Sequence, residues 1–246
     1  MNSEIEKFNN EKKDLIASNA VNSNLQNAKI GFNIESNKAK YSYNFSWMGR
    51  PIIAYPQDMI AMQEIIWDIK PDLIIEAGIA HGGSLVYYAS LLELIGGDGL
   101  VLGLDIDIRK HNRDLIESHS MAKRIQMIEG DSTSIDIANQ VYEIAKDKKC
   151  ILVCLDSNHT HDHVFKELEL YAHLTTVGSY CVVFDTIVED LPKDYMPGGR
   201  SWNPGNSPKT AVFEFLKQNN NFKIDKNIDN KILISVAPDG YLKRMV

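Results

Sequence analysis

Basic residues are in deficit in this chain, and the deficit removes a first class of function. Its 246 residues hold 26 Lys and Arg against 33 Asp and Glu, a formal net charge of −7. Nucleic acid is therefore not expected as a partner, because gripping a phosphate backbone takes a basic surface. Long apolar runs are lacking too. None reaches the roughly 18 to 20 residues of a transmembrane segment, and the opening residues are Asn, Glu and Lys rather than a signal sequence, which reads as a cytoplasmic chain. Cysteine is scarce. Cys150, Cys154 and Cys181 sit in apolar runs without CxxC spacing, so buried structural thiols are expected rather than disulfides or a thiolate nucleophile. What remains, with 44% hydrophobic residues, suffices for one α/β domain with a large core but not for a second full domain.

Residues 1–45 are rich in Asn, Lys and Ser and read as a peripheral extension with a helix and loops; 46–246 form the domain proper. An amphipathic helix is predicted over 58–69. Short apolar runs then alternate with segments of helical period: strands over 72–77, 100–105, 124–129, 150–155 and 179–185, helices over 83–95, 109–119, 133–146 and 161–175. Repeated βα steps imply a Rossmann-like sandwich, a mostly parallel seven-stranded sheet with helices on both faces. Ser207-Pro208 is a cap followed by a first-turn proline and opens another helix. Ile232–Val236 and Tyr241–Arg244 are expected to close one sheet edge as an antiparallel pair. The Pro- and Gly-rich stretch within 186–206 is too long for a routine connection and reads as a lid or insert.

Parallel strands put one end of each on the same sheet edge, where ligands bind in such folds. Here most of those ends carry an acid. The first strand runs through Glu76 into Gly78, His81, Gly82, Gly83 and Ser84, a glycine-rich turn that opens a helix. Its spacing is not the GxGxxG of dinucleotide folds. Later strands end at Asp105 and Asp107, at Asp131-Ser132, at Asp156 and at Asp185. S-adenosylmethionine gives each acid a task. Asp105, with Asp107 as its competitor, would hold the ribose hydroxyls. Asp131 and Ser132 would meet the adenine amino group, and Glu76 with the turn would face the methionine end and its positive charges. Asp156 and Asp185, on neighbouring strands, could converge on one Mg2+, an ion suited to oxygen ligands. Phe184 cannot complete such a triad, which leaves Thr186, Glu189 or water.

From Trp47 to Leu216 the sequence resembles the cephalosporin hydroxylase family, a branch of class I S-adenosylmethionine-dependent methyltransferases that includes sugar O-methyltransferases. The resemblance rests on Glu76-Ala77-Gly78 with His81 to Ser84, Asp105 to Arg109 with His111 to Arg113, Glu129 to Ser132, Leu155 to Val164, Val183 to Thr186 and Pro204 to Val212. It implies methyl transfer to a hydroxyl of a sugar, glycolipid or secondary metabolite, assisted by magnesium. The turn departs from ExGxGxG, with Ala80 where the second glycine would stand. His159, His161 and His163 follow Asp156 as HxHxH. In metal-dependent O-methyltransferases a basic residue stands at the offset of His159, which makes it the expected general base, with His161 second. Zinc on these histidines is the rival reading. His81 in the turn, Arg109 and His111 beside the ribose acids, and Tyr195 and Trp202 as stacking rings complete the expected site.

Three alternatives compete. Tyr142 and Lys146 form a nominal YxxxK for a nicotinamide-dependent oxidoreductase, although both read naturally as solvent-side helix residues. A hydroxylase-related activity is suggested by the family name alone, and a non-catalytic binding module keeps the fold without the chemistry. Exposed apolar residues of the extension suit a homo-oligomer.

Overall fold

The computed structural model describes residues 3–193 and 200–246. Its core is a seven-stranded sheet ordered β5-β4-β3-β6-β7-β9-β8. The strands are β3 (Leu73–Ala77), β4 (Leu100–Asp105), β5 (Ile125–Glu129), β6 (Ile151–Leu155), β7 (Tyr180–Val183), β8 (Phe222–Ile224) and β9 (Tyr241–Arg244). A separate hairpin of β1 (Phe45–Trp47) and β2 (Arg50–Ile52) lies before them. β3 to β7 pair in parallel and β9 antiparallel to both neighbours. The chain runs outward from β3 through β4 to β5, then returns to lay β6 on the other side of β3. That reversal opens the crevice in which ligands of this architecture bind.

Side chains alternate across each strand, so Leu73, Ile75 and Ala77 face one core and Ile74 the other. The first core is shared with α6 (Ile135–Ala145), α7 (His161–Tyr171) and α8 (Pro208–Gln218), the second with α3 (Pro56–Ile69) and α4 (Gly83–Ile95). The alternation sends Glu76 to the same side as Ile74, so a carboxylate lies buried beside the apolar core. α8 begins as its sequence dictates: Ser207 and Thr210 form a capping box and Pro208 fills the first turn.

Three expectations are corrected. The run 232–236 is not a strand. α9 (Lys226–Ile232) consumes its start, Leu233 follows in the left-handed region, and Ser235 Oγ and the Val236 amide donate to the Asp58 carboxylate at 2.6 and 2.9 Å. Phe222–Ile224 pairs with Tyr241–Arg244 instead. The helix expected over 161–175 ends at Tyr171 and passes into a 3-10 turn, Ala172–Leu174. The extension contains two helices, α1 (Ser3–Val21) and α2 (Ser23–Lys38); α1 buries none of its residues. No helix among the described residues is long and apolar enough to cross a membrane.

Candidate functional site

The turn between β3 and α4 is held by shape on one side and by charge on the other. A Cβ on Gly78, at φ +98°, would stand 2.1 Å from the Asp156 carbonyl oxygen, and one on Gly83 2.1 Å from that of Pro51. Only glycine lets these backbones approach so closely. Ala80 adopts φ +46°, a conformation costly for an L-residue, and the neighbouring groups show how it is kept there. Asp105 Oδ2 accepts from the Ile79 and Ala80 amides at 2.8 and 3.2 Å. Asn112 donates to the Ala80 carbonyl at 3.0 Å. The buried Arg50 guanidinium donates to the His81 carbonyl and, at 2.9 Å, to Asn112 Oδ1. Sequence reasoning assigned no role to Arg50 or Asn112; their separation of 62 residues leaves no local signal.

Two cavities meet at Gly78, Ala80, Asp156 and Ser157. One, about 260 Å³, takes Glu76, His81, Gly83, Ser84, His159 and Asp185; the other, about 300 Å³, takes Asp105, Asp131, Ser132, Asn158, His163 and Trp202. The sequence-predicted residues are thus mostly brought together, and in two groups. Gly82 precedes α4 as its cap without lining either cavity. Asp107 also lies outside both, exposed and 3.8 Å from Arg109. Asp131 accepts from the Thr133 hydroxyl and amide, which hold its carboxyl below the usual range.

In the first cavity Asp156, His159 and Asp185 offer ligand atoms that all lie within 4.8 Å of one another. Asp185 takes φ +53° as the chain leaves β7. Burial, then the charges of Asp185 and Glu76, push the Asp156 carboxyl well above the usual range, and burial takes Glu76 to about 8 although Ser84 donates to it at 2.8 Å. Crowded carboxylates with one imidazole fit a divalent cation, which would relieve their repulsion. The third side chain of the group is His159. Thr186 and Glu189, weighed for that place from the sequence, are otherwise engaged: Thr186 donates to the Pro238 carbonyl at 2.7 Å, and Glu189 accepts from Ser207 Oγ and the Gly205 amide.

The three histidines of HxHxH diverge, which removes the zinc reading. His159 reaches Asp185 at 3.0 Å, His161 bonds Thr210 at 2.8 Å and faces Glu214 at 3.3 Å, and His163 meets Ser132, Ser157 and Glu167. His161 therefore packs α7 against α8 and lines neither cavity. The Trp202 ring stands edge-on to His159, centroids 4.9 Å apart, with Arg200 over its face. Tyr195 lies outside the described residues, as do 194–199 of the expected lid. Arg109 and His111 are exposed. Tyr142 donates to the Leu170 carbonyl and lines neither cavity, so the nominal YxxxK gives no nicotinamide site. Cys154 and Cys181 are buried free thiols and Cys150 is half-buried.

Comparison with known proteins gives a consistent result. The family described as Rhamnosyl O-methyltransferase/CmcI matches residues 39–245. A rhamnosyl O-methyltransferase of Mycobacterium tuberculosis (strain H37Rv) is 32% identical over 189 residues, 76% of this chain and 73% of the relative. That of Mycobacterium leprae is 33% identical over 148 residues, 60% and 62% of the two chains. A CmcI structure described as Mg-SAM superposes with a TM-score of 0.57 at 21% identity, covering 83% of this chain and 78% of the other, a likeness of fold.

Proposed function

The chain belongs to the rhamnosyl O-methyltransferase/CmcI family and is an S-adenosylmethionine-dependent methyltransferase, and we propose that its acceptor is a hydroxyl of a sugar or sugar-bearing metabolite. One observation carries the reading beyond family membership: Asp156, His159 and Asp185 converge in the cavity of the glycine turn, and Asp156 also borders the second cavity. The donor would lie across that junction. Its adenosyl end would take the cavity of Asp105, Asp131 and Ser132, and its methionine end the turn, where Glu76 faces the positive charges. The acceptor would enter beside Tyr43, Met59, Leu191 and Arg200. In the transfer the acceptor oxygen forms a bond to the methyl carbon as the carbon–sulfur bond breaks, the pair of electrons returns to sulfur and the hydroxyl proton is released to solvent.

The chain's own residues set the geometry of that displacement. Holding oxygen and methyl in line converts an encounter of two molecules into a local step. Asp156, His159 and Asp185 would hold a divalent cation such as Mg2+, which when bound lowers the pKa of a hydroxyl beside it. His159 would then serve as a ligand beside Asp185, in place of the free base that the sequence suggested. The Trp202 edge shields that imidazole. The experiment is transfer of labelled methyl from S-adenosylmethionine to a panel of rhamnosides and other glycosides, with and without EDTA. Label in a sugar O-methyl group, lost with chelator, is the expected result. Transfer to none of the glycosides would overturn the acceptor class, and transfer indifferent to chelator would overturn the cation.

A further inference from the structure

The reading above leaves the last histidine of HxHxH without a task. His163, Glu167 and Tyr171 follow one another at four-residue spacing on α7 and so share one stripe of the helix. That stripe is fastened to the ends of two different strands. Glu167 is fully buried, and its Oε1 accepts from Ser132 Oγ, beyond β5, and from Ser157 Oγ, beyond β6, each at 2.6 Å. Tyr171 donates to the Ser132 carbonyl at 2.5 Å.

With their protons committed to Glu167, the two serine oxygens remain as acceptors. His163 Nε2 stands 3.2 Å from Ser132 Oγ and 3.0 Å from Ser157 Oγ, so that nitrogen carries a proton and donates. The same nitrogen is 3.4 Å from Glu167 Oε1. Glu167 Oε2 has no partner among the described residues, and a buried carboxylate half satisfied in this way gains from a cation beside it. Burial opposes charge on His163, but Glu167 and Asp131 outweigh it and the ring's pKa is raised. Packing alone would not require the ring to reach a cavity. Yet His163, Ser132 and Ser157 all line the cavity of Asp105 and Asp131.

We propose that His163 is a positioning residue for the adenosyl half of the methyl donor, locking the Ser132 and Ser157 loops through Glu167 into two fixed walls of that cavity. The proposal rests on the donor reading given above. Its test is calorimetric titration of S-adenosylhomocysteine and of 5′-methylthioadenosine, which keeps the adenosyl end alone, into the wild-type chain, H163A and H163Q. H163A is expected to weaken both ligands by a similar factor, about tenfold, in keeping with the loss of one buried hydrogen-bonding partner. H163Q, which can return a donor near the Nε2 position, should recover most of that loss. The acceptor KM should stay within about twofold, because the acceptor side is separate. Should H163A fold poorly, E167Q, which keeps the volume and removes the charge, gives the same comparison. Unchanged affinity for both ligands overturns the proposal, as does a parallel loss of acceptor affinity. A wild-type chain that binds neither ligand overturns the donor reading itself, and the proposal with it.

Discussion

His159 Nε2 lies 3.0 Å from Asp185 Oδ2, joining the loop beyond β6 to the end of β7. The two strands run parallel with Leu155 opposite Val183, so the residues just beyond them emerge side by side and Asp156 completes the group. Replacing His159 with Ala should lower kcat by about 100-fold or more, since a cation ligand and the orientation of the acceptor are lost together. The dissociation constant of S-adenosylhomocysteine should change less than about threefold. Steady-state kinetics with a parallel titration of the product decides it, and a fall confined to product affinity would contradict the assignment.

The glycine turn gives a paired prediction. Gly78→Ala should abolish donor binding, because its Cβ would meet the Asp156 carbonyl at 2.1 Å. Ala80→Gly should bind the donor normally and raise stability by about 1 kcal/mol through relief of the left-handed backbone. Calorimetry and thermal melting of both variants measure the contrast.

Arg50→Ala removes the donor that holds the His81 carbonyl and Asn112. Leaving buried acceptors unpaired should cost about 1 to 3 kcal/mol of stability and raise the donor KM more than the acceptor KM. Denaturant melts and kinetics with each substrate varied separately test this, with equal KM changes as the contrary result.

Glu76 gives a pH dependence of definite sign. Its folded-state pKa is raised to about 8 from 4.5, so the native state holds the proton more tightly than the unfolded chain. The stability it contributes is complete below about pH 4.5 and is lost as pH rises through about 8. Glu76→Gln should therefore melt higher than wild type at pH 8.5, show no such advantage at pH 4.5, and bind S-adenosylmethionine less well at pH 8.5, where the wild-type carboxyl is ionised. Melting curves of the free protein across that range decide the first part; a Gln variant that is less stable at high pH would show the carboxyl to be ionised without penalty.

Trp202→Ala tests the wall of the adenosyl cavity, which its ring lines. Its ring packs edge-on to His159 and its indole nitrogen is buried without a partner among the described residues. The dissociation constant of S-adenosylhomocysteine should rise by about tenfold, the scale of one lost aromatic contact, while the acceptor KM changes less. Calorimetric titration of the product, beside kinetics with a glycoside acceptor, gives the answer.

Features encoded by neighbouring residues were legible from the sequence. α4 runs over Gly83–Ile95 and β4 over Leu100–Asp105, as periodicity predicted, and the Ser207 cap is where composition put it. The run 232–236 misled because its Ser235 hydroxyl and Val236 amide donate to the buried Asp58 carboxylate, 177 residues away from Ser235, and not to a neighbouring strand. The strand-end acids were visible, but not their division of labour. Asp105 spends one oxygen on the turn's amides, and Asp107 points outside both cavities.

By itself, then, the sequence determined the alternating βα order, the glycine turn and the acids on one edge of a parallel sheet, because capping, glycine freedom and side-chain period act within a few residues. Tertiary structure alone decided that Arg50 and Asn112 clamp an alanine into a glycine's conformation, that His159 joins Asp156 and Asp185, and that His161 and His163 turn elsewhere. The physical reason is direction. Three histidines two residues apart carry the same local chemistry, and what separates them is which helix or strand end packs against each ring.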